Sequence, residues 1–145
     1  MTSALQMVQM IQDGETTSVE LVTAALELIN KTDDALKAWV WLDCDGALEQ
    51  ARAMDQLRQA GRALGALHGV PIGLKDIIDT ADMPTECGSA ALAGRQPEFD
   101  AVLVSRLKVA GLSLIHISEP TRQEAIGDGG VWFKKIRGGG GGGGG

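Results

Sequence analysis

Apolar residues recur along this chain at two periods, and the switches between them divide it into elements. Leu5, Val8 and Ile11 fall at helical spacing, with Thr2 or Ser3 available as a cap and Gly14 as a stop. Thr17-x-x-Glu20 has the form of a capping box, and Leu21, Val22, Ala25, Leu28 and Ile29 then trace one face of a second helix that the polar run Asn30–Asp34 should end. Trp39-Val40-Trp41-Leu42 is a short apolar run of strand character bounded by Asp43 and Asp45, with the two Trp rings expected on one face. Ala47 to Ala60 returns to helix-favouring residues before Gly61. Val70, Ile72 and Leu74 alternate with Pro71 and Gly73, which predicts a second strand with little bulk on one face. A turn-rich passage through Pro84, Gly88 and Gly94 follows, and Asp100 is placed to cap a helix over Val102, Leu103, Leu107 and Val109 that Gly111 stops. The order is that of an α/β protein, with a sheet of only two or three strands, small for that class.

Composition changes this picture at one point. The whole chain, 44% hydrophobic and 22% charged, matches an ordinary globular protein. Up to Leu112, however, 9 Lys and Arg stand against 16 Asp and Glu, a net charge of −7, whereas Ser113 onward holds 4 basic and 3 acidic residues. Of the 20 glycines, 11 lie in that second part. Ser113-Leu114-Ile115-His116-Ile117-Ser118-Glu119-Pro120-Thr121-Arg122 resembles sequencing-adapter DNA translated as protein, and Gly138 to Gly145 form an unbroken glycine run. Residues 113–145 are therefore read as an artefactual, disordered Gly-rich tail, and residues 1–112 as a partial domain. His116, Trp132 and the Lys134-Lys135-x-Arg137 cluster receive no functional weight on this reading.

The acidic body argues against nucleic acid as a partner, because phosphate contacts need clustered Lys and Arg. No apolar run reaches the roughly 20 residues of a membrane span, and Met1 to Asp13 lacks the basic flank of a signal peptide. Cys44 and Cys87 stand far apart with no C-x-x-C spacing, which suits two reduced thiols and a cytoplasmic location. Neither a cofactor nor a metal is expected.

The chemistry concentrates at Lys75. An ammonium at the inner end of a glycine-rich apolar strand is costly to bury unless paired or neutralised, and a desolvated lysine can act as a general base near neutral pH. Asp76 follows it and reads as a residue that satisfies turn amides. Asp79 and Asp82 read as solvated turn residues, since no metal-ligand set accompanies them. His68 reads as a structural histidine, and Ser89 as a loop residue.

Residues 15 to 111 resemble the N-terminal part of the amidase signature family. The resemblance rests on Leu67-His68-Gly69-Val70-Pro71-Ile72-Gly73-Leu74-Lys75-Asp76, on Asp79-Thr80-Ala81-Asp82-Met83-Pro84-Thr85, on Gly88-Ser89, and on Asp100-Ala101 opening a helix that ends in Ala110-Gly111. Ser18 to Val22 and Ala38-Trp39-Val40 are similar to its leading helix and first strand. It implies an incomplete portion of a mixed sheet flanked by helices. It also implies hydrolysis of a non-peptide carboxamide C–N bond in a small-molecule substrate, through a Ser–Ser–Lys triad in which a serine attacks and a second serine relays its proton to a neutral lysine. Lys75 matches the family's catalytic lysine. Neither serine of the triad is matched, because the 145 residues contain no Gly-Gly-Ser-Ser-Gly-Gly-like stretch, and the strand and second lysine implied soon after Gly111 give way to the adapter-like string. The chain is thus expected to be inactive as it stands. The same strand also suits the A subunit of a tRNA-dependent amidotransferase, which would need partner chains. A reading outside enzymology is a non-catalytic helical interaction fragment.

Overall fold

The computed structural model describes residues 2–118, with side chains through Ser113. Helix α1 (Ala4–Asp13) opens on a capping box between Ser3 and Gln6 and closes at Gly14, whose left-handed φ of 77° lets its amide reach the last carbonyls. Val8 and Ile11 are buried, while Leu5, on the same predicted stripe, is exposed. Helix α2 (Ser18–Leu36) opens on the Thr17–Glu20 box. It does not end in the polar run at Asn30. It continues to Leu36, and Lys37 takes the left-handed turn at φ 50°. The Asp33 carboxylate explains the overrun: it accepts the amides of Ala38 (2.7 Å) and Trp39 (3.2 Å), so a presumed helix breaker ties down the chain beyond the helix.

Strand β1 (Trp39–Leu42) and helix α3 (Cys44–Gln59) follow, the latter with Asp43 accepting the amide of Gly46. Val22, Ile29, Ala47 and Ala51 form the core between α2 and α3, with Trp39 packed against it. Trp41 does not join Trp39 on that face: the ladder slips between them and Trp41 is left 43% exposed. A bulge gives β1 one extra residue there, and this breaks the two-residue alternation on which a shared face depends.

Strand β2 (Pro71–Lys75) and helix α4 (Val102–Val109) enclose a second core of Leu74, Met83 and Val104, joined by Ile72 and Leu107. Asp100 does not cap α4. The N-cap is Ala101, with no side-chain hydrogen bond, and the Asp100 carboxylate is engaged by the Ala81 amide at 2.8 Å and by Lys108. A third cluster, Val8, Val70 and Leu112, seats α1 against the chain entering β2.

Strand β3 (Ser113–Ser118) lies between the other two in the order β1-β3-β2, antiparallel to β1 and parallel to β2. The sheet is therefore mixed. These six residues open the segment that the sequence sets apart as a tail, and they form a strand. Gly111, at φ 84°, turns the chain out of α4, the Ser113 amide donates to the Val70 carbonyl at 3.0 Å, and Ser113 is fully buried. Leu114-Ile115-His116-Ile117 alternates in two β-branched residues and suits a strand whatever its origin. His116, as backbone, pairs with Leu42 and Gly73. The remaining tail, with Trp132, Lys134, Lys135 and the glycine run, lies outside the described residues.

Candidate active site around Lys75

Lys75 is the last residue of β2, opposite Ser118 in the parallel ladder. Ile72 and Leu74 turn into the core beneath α4, so alternation puts Lys75 on the other face with Pro71 and Gly73. That face carries little bulk, as the sequence predicts: Gly73 is exposed, and Pro71 and Lys75 are half-buried. The Lys75 carbonyl accepts the Ile78 amide at 3.0 Å, which starts the turn out of the strand.

Asp76 is 3% exposed. Its Oδ1 accepts the Glu86 amide at 2.8 Å and its Oδ2 the Gly88 amide at 3.0 Å, while its carbonyl accepts the Cys87 amide at 2.9 Å. Three successive amides thus converge on the residue after the lysine. Cys87 and Gly88 take left-handed φ values of 54° and 62° to bring them there. Charge-assisted hydrogen bonds of this kind allow a carboxylate to be buried. The expected role, satisfying turn amides, is the one observed.

Asp79 and Asp82 stay open to solvent, as the sequence suggests, with side chains 39% and 51% exposed, but each is also paired. Arg95 donates to both oxygens of Asp79, through Nη1 at 2.6 Å and Nη2 at 2.8 Å, and Nη1 also reaches the Thr85 carbonyl at 3.2 Å. The paired hydrogen bond holds the Asp79 carboxyl below its ordinary value, against the opposing effect of desolvation and with the Arg95 charge assisting. Lys108 bridges Asp82 (3.0 Å) and Asp100 (2.7 Å). Desolvation would raise the Asp100 carboxyl, yet the hydrogen bonds from Lys108 and the Ala81 amide outweigh it and hold it low. Desolvation likewise works against the Lys108 ammonium, and its two carboxylate partners still keep its pKa raised. These partners are far apart in sequence, and nothing local marks them.

The chain from Thr85 to Arg95 closes on itself. The Thr85 amide donates to the Arg95 carbonyl at 3.0 Å, and Glu86 accepts the Gly94 amide at 2.6 Å. Ser89 precedes the short 3-10 turn Ala90–Leu92, and its amide donates to the Glu86 carbonyl. His68 is 2% exposed, with Nε2 3.0 Å from the Met54 carbonyl, a satisfied structural position as expected. Gly69 combines a φ of 71° with a backbone pressed against Ser18. Cys44 and Cys87 are free thiols. Among the described residues no cluster of three His, Cys, Asp or Glu could hold a metal, and no helix is long and apolar enough to cross a membrane.

A mixed sheet with helices packed on it, and a lysine ending its second strand beside a loop pinned by the next residue, define the start of an amidase signature fold. The chain belongs to the Amidase family, whose model matches residues 20–116. It is 46% identical over 102 residues to the A subunit of the glutamyl-tRNA(Gln) amidotransferase of Chloroflexus aurantiacus, covering 70% of this chain and 21% of that protein. To its counterpart in Salinispora arenicola it is 40% identical over 113 residues, covering 78% and 23%. The peptide amidase of Stenotrophomonas maltophilia superposes with a TM-score of 0.76 at 37% identity, covering 81% of this chain and 24% of that enzyme. The chain therefore spans about a quarter of the length of the relatives it matches.

Proposed function

We propose that these residues are the opening portion of an enzyme that hydrolyses the C–N bond of a non-peptide carboxamide, with Lys75 as the base of a Ser–Ser–Lys triad. The observation that carries this reading is the placement of Lys75 at the end of β2, on the face left bare by Gly73 and held on one side by the β3 ladder and on the other by Asp76. A serine hydroxyl needs a base to become a nucleophile, and a neutral lysine can serve through an intermediate serine. Neither serine has a counterpart motif in the sequence, so the 145-residue chain supplies a base without its nucleophile. Its two free thiols suit a reducing compartment, and we place it in the cytoplasm.

The test is ammonia release from simple carboxamides. The 145-residue chain should give none above the buffer blank. A longer polypeptide in which residues 1–111 run on into a Gly/Ser-rich amidase signature should turn over, and Lys75→Ala should lower its kcat by about 10³-fold or more. Turnover by the 145-residue chain, or indifference of the longer one to Lys75→Ala, would overturn the reading.

The identity of 40% and 46% to the A subunits of two amidotransferases favours a second reading, in which the parent delivers ammonia to an acceptor together with partner chains. The longer polypeptide would then release ammonia from glutamine only when co-purified with such partners.

A further inference from the structure

We propose that Asp76 is a positioning residue for Lys75: by gathering the amides of Glu86 and Gly88 on its carboxylate, it holds the Cys87–Ser89 turn against the end of β2 and fixes the backbone from which the lysine projects. This deepens the reading above, on which Lys75 is the base.

The connection has no slack. Lys75 and Asp76 are consecutive, and Asp76 uses both carboxylate oxygens and its carbonyl on three consecutive amides, at 2.8, 3.0 and 2.9 Å. At 3% exposure the carboxylate has little water to substitute for a lost amide, so any shift of the turn is felt by Asp76 and by the strand end with it. On the loop side, two successive left-handed residues, Cys87 and Gly88, are needed to aim the amides inward, a concave arrangement suited to an anion. Here the anion is a side chain of the protein itself. The far end of the same loop is closed by the Arg95 clasp on Asp79, so the turn is held at both ends. On the strand side, the backbone of Lys75 is paired in the ladder with Ser118 and accepts the Ile78 amide. The turn Cys87–Ser89 is thereby anchored to the residue next to Lys75.

The experiment uses the 145-residue chain with its lysines dimethylated by [13C]formaldehyde, the Lys75 resonance being assigned by its loss in Lys75→Arg. Amide exchange is followed in parallel at residues 86 to 88. Asp76→Asn should lower the protection of those amides by about tenfold or more and move the Lys75 resonance toward its position in urea. Gly88→Ala leaves every charge in place and strains the left-handed turn, and it should move the Lys75 resonance in the same direction. If Asp76→Asn moves the resonance and Gly88→Ala does not, the coupling is one of neighbouring charge and the positioning role is overturned. Loss of loop protection with Lys75 unmoved in both variants overturns it equally. The readout needs no turnover, so it stands or falls separately from the amidase assay with Lys75→Ala.

Discussion

Asp55, in the second half of α3, caps a different helix: its carboxylate accepts the amides of Ser18 at 2.8 Å and Val19 at 3.1 Å at the start of α2. The Thr17 hydroxyl already takes the Glu20 amide, so the two caps share the unpaired donors of that helix end between them. Asp55 is 7% exposed, and the contact spans 37 positions of sequence. Replacing it by alanine leaves buried amides unpaired and should destabilise the fold by about 1–3 kcal/mol, read as a lower urea midpoint, with Asp55→Asn losing less.

Beside that cap the Ser18 side chain is pressed on the backbone of Gly69. A methyl group at Gly69 would come within 2.9 Å of the Ser18 Cβ and 3.2 Å of the Ile11 Cδ1, on a backbone held at φ 71°. Both faults act together, so Gly69→Ala should cost about 2 kcal/mol or more, seen as a fall in Tm. Shortening the neighbour with Ser18→Gly should recover the steric part only.

On the opposite face of β2 from Lys75, Val104 is fully buried against Leu74 and Met83. Val104→Ala removes two methyl groups from that packing and should lower stability by about 1–3 kcal/mol. Val109, the last residue of the same helix, is 85% exposed, and its alanine variant should stay within about 0.5 kcal/mol of the wild type.

Acid should weaken the loop region first. Asp79 and Asp100 both titrate below their ordinary value in the folded chain. Their contribution is therefore full above the unfolded aspartate pKa of about 3.9 and is lost as the pH falls through the lower folded values. Chemical denaturation followed from neutral to strongly acidic pH should show that decline, and Asp79→Asn with Asp100→Asn should flatten it. An unchanged slope in the double variant would remove these pairs from the account.

Much of the local structure could be read directly from the residues. The Ser3 and Thr17 caps, the Gly14 stop, the strand Trp39–Leu42 and the strand ending at Lys75 each depend on neighbours within about one turn, so the residue pattern contains their cause. The low-bulk face at Gly73 is legible for the same reason, whereas the amides that Asp76 satisfies belong to a turn ten to twelve residues further on. Where the structure departs from the pattern, a carboxylate has taken a partner that the pattern does not mark. Asp33 extended a helix that it was expected to end because the chain after it folds back on its carboxylate. Asp100 left its cap position for Lys108 and Ala81, and Asp79 and Asp82 found Arg95 and Lys108.

Short-range periodicity and one contiguous motif were enough to set most elements, the family and the position of the lysine. Three further features came from the folded chain alone. Ser113–Ser118 takes the central position of a mixed sheet, a bulge parts Trp39 from Trp41, and Asp55 and Asp76 hold segments remote from them. Strand order, register and buried carboxylate partners are settled by pairing across the whole chain, where each unpaired amide or buried charge costs more than local preference can supply.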